Sequence, residues 1–131
     1  MGTYRRNYKG VDESGFELLP TGNYSVEIAK VQEGKTKDGK KDLIKIRYRV
    51  ILPADHKGRL IFDQITLLQG DEPGAGITKH FLHVIDEPYD GDFEIIPENW
   101  IGKKLNVGVV VDEQYNNNKI KTHDAFEDIP F

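Results

Sequence analysis

Between Ile44 and Val50 the chain alternates without a break: Ile44, Ile46, Tyr48 and Val50 fall on one face, Lys45, Arg47 and Arg49 on the other. A period of two is what a half-buried β-strand requires, because successive side chains leave opposite sides of the pleated backbone. The basic face cannot turn inward without turning the apolar face out. Weaker versions of the pattern flank it. Tyr24, Val26 and Ile28 alternate with polar residues, Leu60 to Leu68 reads as a third strand, and Leu105, Val107, Val109 and Val111 mark a fourth. Lys119 to His123 is a short fifth strand, paired back across Asn116-Asn117-Asn118, a turn that tolerates positive φ. Gly34 to Lys41 forms a polar hairpin loop, and Pro53 to Gly58 another turn. From Ile77 to Ile85, apolar residues at 77, 81, 82, 84 and 85 fit a short helix that Asp86-Glu87-Pro88 ends. Tyr48 and Trp100 are expected in the core.

Five strands with one short helix between the third and fourth is the order of an all-β OB-fold, a five-stranded Greek-key barrel. An antiparallel sandwich with a stray helix is the competing architecture. A chain of 131 residues can bury a core without metal or disulfide help. The expected division is a loose arm over 1–15, the barrel over 16–123 and an acidic tip over 124–131. With no cysteine, a disulfide framework and a thiolate metal site are excluded, which suits a reducing compartment. No apolar run approaches the roughly 20 residues of a membrane span, and Met1 to Arg6 leads into no secretory signal. A cytoplasmic protein of a bacterial cell is expected.

The net charge of −4 hides an uneven distribution. Residues 1–61 carry 13 Lys/Arg against 8 Asp/Glu, whereas residues 62–131 carry 5 against 14. Phosphate responds to a local patch rather than to the total. Lys45, Arg47 and Arg49 on strand two, continued by Lys35, Lys37, Lys40 and Lys41 in the hairpin, form such a patch. In an OB barrel the binding surface crosses strands two and three. Cations there would track a backbone while aromatic rings stack bases without reading sequence. Phe62 on strand three and Tyr115 beside the last hairpin are the ring candidates, with Tyr4 and Tyr8 interleaved among Arg5, Arg6 and Lys9 in the arm. The bland alternatives are a solvated strand face, and a Phe62 ring buried in the core.

Catalytic patterns are missing from the sequence. His80, His83 and Asp86 recur at helical spacing but lack the glutamate and third ligand of a helical zinc site. The acidic residues between 86 and 98 stand in no recognisable relation to a histidine or lysine. Gly34 to Lys41 lacks P-loop spacing. No metal, cofactor or enzymatic activity is expected.

The last four residues are Asp128-Ile129-Pro130-Phe131. They resemble the terminal tip of bacterial single-stranded DNA-binding proteins. Leu19-Pro20-Thr21-Gly22-Asn23-Tyr24-Ser25-Val26 and Ile101-Gly102-Lys103-Lys104 extend the likeness to the phage-encoded OB-fold members of that family, over roughly residues 18–123. The resemblance implies a protein that coats single-stranded DNA in replication, recombination or repair. It also implies a partner-docking peptide in which a carboxylate and the Phe131 ring are captured by partner enzymes. Oligomeric state stays open, a homo-oligomer included. The alternatives are an RNA-binding OB module, a nuclease, and an accessory protein that acts through protein contacts only.

Overall fold

The computed structural model describes residues 2–9 and 18–126. Five strands form one antiparallel sheet: β1 (Gly22–Lys35), β2 (Asp42–Leu52), β3 (Leu60–Thr66), β4 (Lys104–Asp112) and β5 (Asn117–Ala125). Their order is β3-β2-β1-β4-β5, so β1 is the central strand. The helix α1 (Ala75–Val84) lies between β3 and β4, two residues upstream of the expected start. Single 3-10 turns occupy Ala54–His56 and Pro97–Trp100.

The all-β reading holds, and β2 behaves as its alternation requires. Ile44, Ile46, Tyr48 and Val50 are buried, while Lys45 and Arg49 are exposed. They meet Val26 and Ile28 of β1, Ile61 and Ile65 of β3, and Leu105 and Val107 of β4 in one core. The helix closes this core with Phe81 and Leu82. Thr78, also buried, ties it to β3 by donating its hydroxyl to the Thr66 carbonyl at 2.7 Å. Trp100 stands edge-on to Phe81, ring centroids 5.2 Å apart.

The central strand is longer than its sequence pattern suggests, because it carries a bulge. Ile28 pairs with Tyr48 but Lys30 pairs with Arg47, leaving Ala29 as an extra residue. A bulge of this kind shifts the phase of a strand by one. Ahead of it Tyr24, Val26 and Ile28 point into the core; beyond it Val31 packs inward, and Lys30 and Gln32 face out. The lead into β4 docks at the same place. Ile28 N–H donates to the Lys103 carbonyl, and Gly102 N–H to the Ile28 carbonyl. Gly102 does so at φ 88, a left-handed conformation that costs glycine nothing.

At the other end of β1, Asn118 fastens the preceding segment. Its side-chain oxygen accepts the Leu19 N–H, and its amide donates to the Leu19 carbonyl, both at 2.9 Å. The turn before it contains Asn116 at φ 51, the conformation expected of the asparagine run. The two outermost strands also meet: His123 of β5 and Asp63 of β3 lie 2.8 Å apart. Strand β5 runs through Ala125, so Asp124 and Ala125 belong to the sheet rather than to the tip. Among the described residues no helix is long and apolar enough to cross a membrane.

Candidate nucleic-acid interface

Directly opposed residues of neighbouring antiparallel strands share a face. On the outer face of β1, β2 and β3 this register produces three rows: Glu27–Arg49–Leu60, Lys30–Arg47–Phe62 and Gln32–Lys45–Gln64. The second and third rows line a groove of about 800 Å³ whose opposite wall is Asn116 to Lys119 at the β4–β5 turn. Phe62 is 66% exposed, so its ring lies on the surface and not in the core. Among the described residues Lys30, Lys45 and Arg47 take part in no ion pair. The Arg47 Nε is buried and has no hydrogen-bond partner among them. A buried donor left unpaired is costly, and an anionic oxygen entering the groove would satisfy it.

The other predicted cations differ. Arg49 lies one row away, outside the groove lining, and reaches Glu27 at 3.5 Å. Lys35 is bonded to Asp42, and Lys41 pairs with Glu72 at 3.7 Å. Lys37 and Lys40 are exposed in the hairpin loop, beyond the Gln32–Lys45 row. There the Asp38 carboxylate accepts the Thr36 hydroxyl and the Lys40 N–H, and these bonds hold it below its ordinary range. Tyr115 is 66% exposed on the β4–β5 turn, beside the groove wall rather than in it. The Lys119 ammonium sits 5.6 Å from its ring centroid. Asp112 organises this turn. A hydrogen bond from Lys119 is the main cause of its lowered pKa, and the same bond raises that of Lys119.

Several lining residues escaped sequence reasoning. Lys30 and Gln32 were hidden by the Ala29 bulge; Arg59 and Asn116 to Lys119 lie at a strand end and a turn, where no periodicity marks a face, and Gln64, inside β3, carries neither charge nor ring to single it out. The out-of-phase Val31 was the available clue to the bulge.

Residues 6–130 match a family model described as a protein of unknown function (DUF669). The chain belongs to the DUF669 family. No curated protein matches it.

In this DUF669 chain the histidines of α1 are engaged elsewhere. His80 Nε2 lies 2.8 Å from the His123 carbonyl oxygen, and His83 stacks on Tyr89 with centroids 4.3 Å apart. Among the described residues no three His, Asp or Glu side chains are grouped to hold a metal. In the arm, Tyr4 and Tyr8 are exposed, with the Arg6 guanidinium 5.7 Å from the Tyr4 ring centroid. The docking candidates Asp128, Ile129, Pro130 and Phe131 lie outside the described residues.

Beneath the groove, the Tyr48 hydroxyl donates to Asp63 Oδ2 at 2.9 Å. Burial, with the Asp63 charge second, pushes the Tyr48 phenol well above its ordinary 10.0. A raised folded-state pKa means that stability is intact below the unfolded value, near pH 10, and is lost as pH rises past it. Thermal denaturation of the DUF669 protein should therefore show a drop in Tm above about pH 10 that Tyr48→Phe reduces. At pH 7 the same substitution should cost about 1–3 kcal/mol, because Asp63 loses a hydroxyl donor. An alkaline profile identical in the variant would remove Tyr48 as its cause.

Proposed function

We propose that this protein binds single-stranded nucleic acid, DNA foremost, along the groove between β2–β3 and the β4–β5 turn. The observation that carries the reading is the Lys30–Arg47–Phe62 row: two cations without ion pairs among the described residues, beside one exposed ring. Cations with stacking surfaces, and no arrangement that selects one base, are what sequence-tolerant strand binding needs. The strand order, the helix between β3 and β4, and the Asp63–His123 contact between the edge strands support an OB barrel whose binding groove is this one. The protein acts by binding, without chemistry of its own. The terminal Asp128-Ile129-Pro130-Phe131 is the recruiting peptide for replication, recombination or repair enzymes.

Fluorescence titration of labelled oligo-dT, a matched RNA and duplex DNA of equal length, at two salt concentrations, tests the first part. Binding to oligo-dT should be tightest, with a log–log salt slope of about −0.7 for each phosphate neutralised. Equal affinity for duplex, or no salt dependence, defeats the groove reading; tighter binding of RNA moves the substrate to RNA. Deleting Phe131 should leave oligo-dT affinity unchanged or slightly improved. The same deletion should reduce capture of enzymes that bind bacterial tips of this sequence by about thirtyfold, an anchor loss of about 2 kcal/mol. A deletion that unfolds the domain would instead make Phe131 a packing residue.

A further inference from the structure

We propose that Asp63, His123 and Tyr48 act as positioning residues that set the width of the groove, and through it the preference for single strands over duplex. The proposal rests on the groove being the nucleic-acid site, but its geometric half can be measured without nucleic acid.

Strands β3 and β5 are the outermost in the sheet order, and neither pairs with the other through a backbone ladder. Side chains join them. Asp63 Oδ2 takes both the Tyr48 hydroxyl at 2.9 Å and the His123 Nε2 at 2.8 Å, and its Oδ1 accepts the Gln64 N–H at 2.8 Å. The Asp63 and His123 side chains are only 13% and 14% exposed. On its far side the His123 ring stands edge-on to Phe81, centroids 5.4 Å apart, and the His123 carbonyl meets His80. One carboxylate thus links β2, β3 and β5, with the helix behind the histidine.

Asp63 immediately follows Phe62 in β3, and Lys119 lies four residues before His123, about 13 Å along the strand. Phe62 and Lys119 belong to opposite walls of the groove. The Asp63–His123 bond is therefore a hinge pin, and small slippage at it becomes a larger displacement of the β4–β5 turn. A base can stack on Phe62 only if its face is free, which paired and stacked duplex bases are not. Held narrow, the groove keeps duplex phosphates from Lys30, Lys45 and Arg47. Widened, it lets them in and loses the grip on a single strand.

The chain has no cysteine, so Leu60→Cys and Asn116→Cys give two unique spin-label sites across the groove. Pulsed electron–electron double resonance on this pair should show one narrow distance distribution. Adding His123→Phe, which keeps a ring against Phe81 but removes the N–H, should lengthen and broaden it. Adding His123→Gln, which retains an N–H donor, should restore it. In unlabelled protein, His123→Phe should lower the ratio of oligo-dT to duplex affinity by about tenfold with circular dichroism unchanged. Asp63→Ala is the second variant and should behave like His123→Phe. An unchanged distance distribution in a folded variant overturns the proposal, whatever the DNA result. A widened distribution in a protein whose wild type binds no oligo-dT overturns the groove reading and the selectivity with it. If neither variant folds, the bond is a stability element and the proposal falls.

Discussion

Replacing Lys30, Lys45 and Arg47 together with alanine is expected to weaken oligo-dT binding by about 100-fold or more near 0.1 M salt. Each cation contributes about 1 kcal/mol through phosphate contact and counterion release, and about 3 kcal/mol is two orders of magnitude. The log–log salt slope should become less negative by about 2, since three phosphates are no longer neutralised. Phe62→Ala should act differently. Losing a stacking surface costs about 1–3 kcal/mol but leaves the slope in place. Arg49→Ala should be nearly silent, because Glu27 already holds that guanidinium at 3.5 Å, one row outside the groove. The fold should survive all of these changes, as the side chains point away from the core. A triple variant with an unchanged slope, or an Arg49→Ala as damaging as the triple, would mean that the strand runs elsewhere.

The largest effect on stability is expected at Trp100. Its side chain is 1% exposed, in the 3-10 turn Pro97–Trp100, and it packs edge-on against Phe81. Trp100→Ala should cost about 3–5 kcal/mol, by lost transfer energy and by the cavity left behind. A domain of this size has about 5–15 kcal/mol in total, so the variant should be near the edge of folding at 37 °C. Urea denaturation followed by circular dichroism gives the reading, because the chain's single tryptophan is the residue removed. The midpoint should fall with the slope unchanged. Trp100 is not among the groove residues, so the folded fraction should bind oligo-dT normally. A loss below about 1 kcal/mol would mean the site collapses around the deletion with little penalty.

How far the sequence spoke for the structure differs from strand to strand. In β2 every residue from Ile44 to Val50 obeys one rule, so its two faces, its place in the core and three outward cations could be read directly. The order of five strands and one helix was legible for the same reason, as was the asparagine turn. The outward ring was harder. Whether a phenylalanine on a half-buried strand faces in or out depends on register against the neighbouring strand, and Phe62 is outward because it opposes Arg47. Lys30 and Gln32 depend on register too, and the bulge conceals it. The opposite wall was invisible, since Asn116 to Lys119 approach β3 only when the whole sheet curves. Ion pairing was equally hidden: nothing local to Arg49 says that Glu27, 22 residues earlier, will neutralise it.

The extra residue in β1 bears on how a gene for such a protein can drift. Substitutions at positions 30 and 32 alter what the groove presents without touching packing, so those codons are free to follow a changing ligand. The spacing between Ile28 and Val31 is another matter. With Ala29 drawn into the ladder, every side chain downstream would reverse, burying Lys30 and Gln32 and expelling Val31, whereas losing its codon removes the bulge and keeps these faces. Lineages should therefore show variety in letters at 30 and 32, and tolerate a change in length here only by loss of the one bulged residue.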